Sequence, residues 1–221
     1  FIMVNIWMDR RKNFKESYAF ELSRLFSYPF TVFFNRLGFV SPNFITFLTL
    51  IFSIVASILL FNGYFLIAGL IYWFSWVFDL VDGEIARLRI IKSEIKVYTK
   101  FGMWFDGIID RIRELIILFS VSIVLYLQNP SVLVLVISIL AIVGGLFWRH
   151  SALYMKSIFS IEESKQKDMK MFGFDVALQN LIITVLIMAN QLYTLLLVFA
   201  ILFNLAWIKN LILWSIKYKN E

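Results

Sequence analysis

Three long stretches of this chain carry no formal charge. No Asp, Glu, Lys or Arg occurs in 37–78, 115–148 or 176–208. A bilayer crossing by a helix takes roughly 20 apolar residues, so each stretch is about long enough to cross twice. With 61% hydrophobic residues overall, the apolar surface exceeds what a water-soluble domain of this size can bury. The expected fold is an all-α integral membrane protein with six transmembrane helices. The absence of cysteine excludes disulfides and thiolate ligands. A net charge of +6 in such a chain reflects membrane topology rather than a nucleic-acid partner.

Turn residues divide the apolar stretches. Ser41-Pro42-Asn43 opens the first helix with a capping side chain and a proline in the first turn. The helices are predicted over about 44–61, 64–87, 102–127, 131–156, 174–189 and 192–216. Turns fall at Asn62-Gly63, Gln128–Ser131 and Asn190-Gln191. Gly144-Gly145 predicts close approach of a neighbouring helix. The three turns are uncharged, whereas Lys and Arg collect at the termini and around the connectors 88–101 and 157–172. By the positive-inside rule both termini and both connectors face the cytoplasm. Residues 1–40 form a separate cytoplasmic and interfacial segment, and 41–221 the membrane domain. In 14–28, Phe14, Tyr18, Leu22, Leu25 and Phe26 recur at helical spacing, with Lys15, Glu16, Ser23 and Arg24 between them. That pattern predicts an amphipathic helix lying in the headgroup plane, the alternative being a helix packed on a soluble partner.

Against this apolar background, four aspartates stand where two hydrophobic segments meet. The first segment ends DLVDGEIAR (79–87) and the second opens GMWFDGIID (102–110). Asp79 and Asp82 are three apart, and Asp106 and Asp110 four apart, so each pair shares a helix face. If the helices pack side by side as a hairpin, the four carboxylates converge. Mutually repelling carboxylates at a bilayer rim need cations or basic side chains beside them. An all-oxygen set suits a hard divalent ion. The structural alternative is ion pairing with Arg87, Arg111 or Arg113. Gly83 is unfavourable inside a helix by roughly 1 kcal/mol. It either opens the backbone to a ligand or lets a helix approach.

This stretch resembles the signature of the CDP-alcohol phosphotransferase family, D-x2-D-G-x2-A-R-x8-G-x3-D-x3-D. Its fixed letters are matched by Asp79, Asp82, Gly83, Ala86, Arg87, Gly102, Asp106 and Asp110. The segment SPNFIT (41–46) resembles the family's short motif at the first spanning helix. One feature departs: 14 residues, 88–101, separate Arg87 from Gly102, which reads as a longer loop between intact half-motifs. The resemblance implies a two-metal site for Mg²⁺ or Mn²⁺, built by Asp79, Asp82, Asp106 and Asp110, with Asp110 as general base. It also implies nucleotide contacts from Asn43, Thr46, Gly83, Ala86, Arg87 and Gly102. The implied reaction moves a phospho-alcohol group, most commonly phosphatidyl, from a CDP-linked donor to a lipid or polyol hydroxyl, releasing CMP in phospholipid biosynthesis. A homodimer in the plasma membrane of a bacterium or archaeon is the family expectation.

Arg111, Arg113, Arg149 and Lys156 are candidates for binding an acidic acceptor, since Arg149 and Lys156 lie two helical turns apart on one face. Their alternative is a set of snorkelling anchors. His150, the sole histidine, reads as a polar interface residue. GEIAR, and the Asp110-Arg111 pair, also resemble enzymes that use CDP-inositol and often follow a cytidylyltransferase domain. The chain opens on Phe1 rather than Met, which leaves room for one. A non-catalytic transporter or channel with an acidic cation site is the remaining class. The uncharged mid-membrane positions argue against it.

Overall fold

The computed structural model describes residues 17–91, 99–159 and 175–217. Residues Phe14, Lys15 and Glu16, half of the connector 88–101 and most of the connector 157–172 lie outside them. Seven helices occur among the described residues: α1 Tyr18–Leu37, α2 Pro42–Phe61, α3 Phe65–Ile91, α4 Lys100–Gln128, α5 Val132–Phe159, α6 Val176–Met188 and α7 Leu192–Lys217. Four carry a segment long and apolar enough to cross a membrane: Pro42–Phe61, Phe65–Ile90, Val132–Ser151 and Leu192–Ile216. The other two expected crossings differ in kind. The first half of α4 holds Lys100, Asp106, Asp110, Arg111, Arg113 and Glu114, and α6 has only 13 residues.

Local signals set the helix ends. The Ser41 side chain accepts from the Phe44 amide at 3.2 Å, Thr99 from Gly102 at 3.0 Å, and Asp175 from Leu178 at 2.9 Å. Each satisfies an amide that the first turn leaves without a helical partner. Gly63 (φ 78°) and Asn190 (φ 53°) take the left-handed backbone that turns α2 into α3 and α6 into α7.

The helices pack as a bundle around a large apolar core that includes Leu60, Tyr72, Ile117, Val121, Ile183 and Phe203. α2 lies against both α3 and α4, α5 against α7, and α6 against α3. The α2–α3 seam is closed by small hydroxyls. Ser53 and Ser75 are hydrogen-bonded at 3.0 Å, and Ser75 donates to the Thr49 carbonyl at 2.7 Å. Small residues let backbones approach closely where lipid supplies no hydrophobic drive between helices. The hairpin expected of α3 and α4 does not form as a closely packed pair. α2 braces both helices, and their carboxylates face one another across a gap.

α1 is turned the opposite way from a helix packed by its apolar face. Ser23, Arg24, Ser27 and Thr31 are buried against the bundle, while Tyr18 is 91% exposed, Leu25 62% and Leu22 42%. Its inner side also packs aromatics on α3, with Phe26–Trp73 at 4.5 Å and Phe30–Phe78 at 5.0 Å between ring centroids. An apolar face turned away from the protein suits a lipid surface better than water.

The expected close approach at Gly144-Gly145 is present. A Cβ on Gly144 would lie 2.5 Å from Asn204 Nδ2, and one on Gly145 3.1 Å from the Phe203 ring. The Asn204 amide is itself committed, donating to the Leu140 carbonyl at 2.9 Å and the Ala200 carbonyl at 2.7 Å. Gly144→Val is therefore expected to destabilise the bundle by about 1–3 kcal/mol, as overpacking does. At Gly107 a Cβ would meet nothing within 4 Å. There Gly107→Ala should gain about 0.5–1 kcal/mol from helix propensity. Thermal unfolding in detergent micelles checks both signs.

Candidate active site

The site forms where the C-terminal part of α3 and the first turns of α4 face each other beneath the α2 N-terminus. Helical spacing aims Asp79 and Asp82 from one side and Asp106 from the other. One oxygen from each of Asp79, Asp82 and Asp106 lies within 4.8 Å of the others. Asp82 is buried, and the Thr46 hydroxyl donates to its Oδ2 at 2.6 Å. This contact gives Thr46 of α2 a place in the site.

Asp110, the fourth aspartate, lies against Asp79 at the edge of that trio and is held by guanidinium groups. Arg113 Nη2 donates to Asp110 Oδ1 at 2.9 Å and lies 3.6 Å from Asp79 Oδ1. Its Nη1 donates to the Ser75 carbonyl at 3.1 Å, so one buried cation bridges α3 and α4. Arg111 Nη2 is 3.8 Å from Asp110 Oδ2. The ion pairing weighed for the aspartates is thus real for Asp79 and Asp110, and it leaves Asp82 and Asp106 for other partners.

The trio passes the test of chemistry for a metal. Its donors are carboxylate oxygens alone, three in number and crowded, with Arg113 the cation paired to one of them. An oxygen cage of that charge could hold a hard divalent ion.

Beside the trio lies a cavity of about 400 Å³. It is lined by Asn43, Thr46, Asp82, Gly83, Ala86, Arg87, Gly102 and Asp106, among others. All six residues expected to contact a nucleotide therefore face one space, together with two of the carboxylates. Its size falls in the range of small-molecule sites. Gly83 gains a third reading here, because an added Cβ would lie 3.1 Å from Arg87 Nη1. The glycine lets the guanidinium fold back over the helix at the cavity wall. Arg89, Thr99 and Met103 also line it and were not anticipated. Arg89 Nη2 donates to the carbonyls of Gly38 at 3.0 Å and Val40 at 2.6 Å, tying the α1–α2 linker to the end of α3.

The basic residues expected near an acceptor gather on the other side of Asp110, already engaged. Arg111 Nη1 meets Glu114 Oε2 at 2.6 Å, and Arg149 Nη2 donates to Gln179 Oε1 at 2.9 Å. Gln179 Nε2 donates in turn to Glu114 Oε1 at 2.7 Å, and Arg149 Nε lies 3.8 Å from Glu114 Oε2. Glu114 is thus the hub joining α4, α5 and α6. The charge spacing Arg111–Glu114 was the signal that could have found it. Gln179, alone in an uncharged run, gave none. Lys156 is on α5, but its side chain lies outside the described residues. His150 stacks on Tyr154, ring centroids 5.8 Å apart.

A sequence profile of CDP-alcohol phosphatidyltransferases matches residues 39–213. The chain belongs to the CDP-alcohol phosphatidyltransferase family. Membership makes it a transferase that moves a phosphatidyl group from a CDP-linked donor in phospholipid synthesis. Comparison with curated protein sequences returned no match. Among solved structures, the chain resembles phosphatidylinositol phosphate synthase (PgsA1) of Mycobacterium tuberculosis, crystallised with CDP-DAG bound. The TM-score is 0.67 over 86% of this chain and 94% of the other, at 18% identity. At that identity the likeness is one of fold.

Arg113 yields a test of the site's electrostatics. Removing one partner of a buried ion pair typically costs about 3–5 kcal/mol, because the remaining charge is left uncompensated. Arg113→Met keeps the apolar volume but leaves Asp79 and Asp110 without their shared cation. Its unfolding midpoint in detergent should fall well below that of Arg111→Met, whose partly exposed guanidinium is worth less.

Proposed function

We propose that this chain transfers the phosphatidyl group of CDP-diacylglycerol to an acceptor hydroxyl, with Mg²⁺ or Mn²⁺ held by the aspartate cluster. The observation that carries this reading is the cavity in which Asn43, Thr46, Gly83, Ala86, Arg87 and Gly102 surround a space opening onto Asp82 and Asp106. The CDP-DAG in the structurally similar synthase supports the choice of donor. The cytidine and its phosphates occupy the cavity, and the diacyl chains lie in the bilayer.

Asp79, Asp82 and Asp106 would hold the first ion, and Asp110 would complete the set for a second. Two divalent cations bound there would offset the repulsion between carboxylates and pyrophosphate and stabilise the entering and leaving oxygens. Thr46 fixes the Asp82 carboxylate through its 2.6 Å hydrogen bond. Arg87, folded over Gly83, offers a guanidinium fork to donor phosphate oxygens. Asp110 accepts the acceptor's hydroxyl proton as the new phosphorus–oxygen bond forms, and Arg113 sets its orientation. The bond from phosphorus to the CMP oxygen breaks, and CMP leaves with the electron pair. Arg111 and Arg149 stand where an acidic acceptor would approach Asp110, and Glu114 holds the two guanidiniums until it arrives. Six crossings, with both termini and the site on the cytoplasmic side, suit the uncharged turns at 62–63, 128–131 and 190–191. A homodimer accords with the family.

The reading is tested by CMP release from CDP-diacylglycerol over acceptors including glycerol phosphate, inositol phosphate and neutral polyols. Turnover should require Mg²⁺ or Mn²⁺ and stop in excess EDTA. Full release in EDTA excludes the metal site, and absence of release with every acceptor excludes the donor. Within that assay, Asp110→Asn should abolish turnover while retaining calorimetric binding of CDP with Mn²⁺. Asp82→Asn should lose both. Equal loss of binding in the two variants would make Asp110 a ligand alone.

A further inference from the structure

α1 reaches the donor site from behind. Glu84 follows Gly83 directly in the half-motif, yet its side chain points away from the cavity and into the buried face of α1. The Ser27 hydroxyl donates to Glu84 Oε1 at 3.0 Å, and the Thr31 hydroxyl to Oε2 at 2.6 Å. Arg24 Nη1 lies 3.9 Å from Oε1. Ser23, one turn earlier, accepts from Trp76 Nε1 at 3.0 Å. Hydroxyls at 23, 27 and 31 thus form one stripe at four-residue spacing, and all three are buried. We propose that Glu84 is a positioning residue. Gripped at both oxygens by α1, it fixes the roll of α3 so that Asp82, Gly83 and Arg87 meet the CDP donor in register.

Two physical arguments carry this, and both rest on the function proposed above. First, stability alone gives no reason for the arrangement. Apolar residues at 24, 27, 31 and 84 together would pack the same seam without desolvating any polar group, and exchanges of a whole buried polar set are often neutral or stabilising. Second, the grip acts where precision is needed. Side chains sit ~6 Å from a helix axis, so a roll of about 10° moves the Asp82 carboxylate by about 1 Å. A misplacement of that size from a remote change can lower a rate about 100-fold. Two acceptor oxygens held from successive turns of α1 resist such a roll. The lock from α4, the Arg113 guanidinium, grips α3 earlier, at the Ser75 carbonyl and Asp79, before the residues that line the cavity.

The test removes the grip and leaves every cavity residue in place. In full-length protein, Ser27→Ala with Thr31→Val deletes both hydroxyl donors. Calorimetric affinity for CDP with Mn²⁺ should fall about tenfold, with Thr31→Ser alone remaining within about twofold of wild type. If the affinity of the double variant holds within twofold while only its melting temperature drops, α1 is scaffold and the proposal is overturned. Should that variant not fold, Glu84→Gln keeps the shape with one acceptor oxygen. Weakened CDP binding then supports the proposal, and unchanged binding overturns it. Wild-type protein that binds no CDP with Mn²⁺ sinks the functional reading and this inference together, whereas a null result confined to the variants sinks only the latter.

Discussion

The interaction on which the rest depends is the Arg113 guanidinium between Asp79 and Asp110. A charge this deeply buried persists only with partners on several sides, and Arg113 has them in two carboxylates and the Ser75 carbonyl. Its length sets a spacing. Two helices joined through a guanidinium and two aspartates stand further apart than helices joined through alanines and serines, as the α2–α3 seam is. The gap between α3 and α4 is therefore built from their own charges. α2 serves as the common wall that keeps the gap from widening. An opening of about 400 Å³ in an otherwise dense bundle follows from that geometry.

The same charges divide the site into two electrostatic halves. Towards α2, Asp82 and Asp106 face the cavity with the Thr46 hydroxyl, and Arg87 and Arg89 line the same space. Towards α5 and α6, Arg111 and Arg149 meet Glu114 in a matched network. Asp110 stands on the border, within reach of both. A residue there can take a proton from one side while the leaving group departs on the other.

Much of this was legible in the residues. Charge-free runs and turn residues located six of the helices to within a few positions, because a lipid solvent demands unbroken apolar helices. The two half-motifs located the carboxylates, since each needs only local helix geometry. Three things were not legible. Periodicity showed that α1 has two unlike faces, but not that the hydroxyl face turns inward. In water an apolar face seeks the protein, and at a membrane it has a second place to go. The separation of α3 from α4 depends on Arg113, whose partners lie far apart in the chain. The engagement of Arg111 and Arg149 depends on Glu114 and on Gln179, a neutral amide that nothing in its apolar run sets apart.

The shortness of α6 has a consequence for the lipid. Its 13 residues rise about 20 Å, some 10 Å less than the hydrocarbon thickness of a typical bilayer. Gln179 and Asn180 stand in its first turns, beside Asp110 and Arg149. A helix this short would cross only where the hydrocarbon layer thins to match it. Thinning on that flank would bring a lipid glycerol towards the depth of the aspartates.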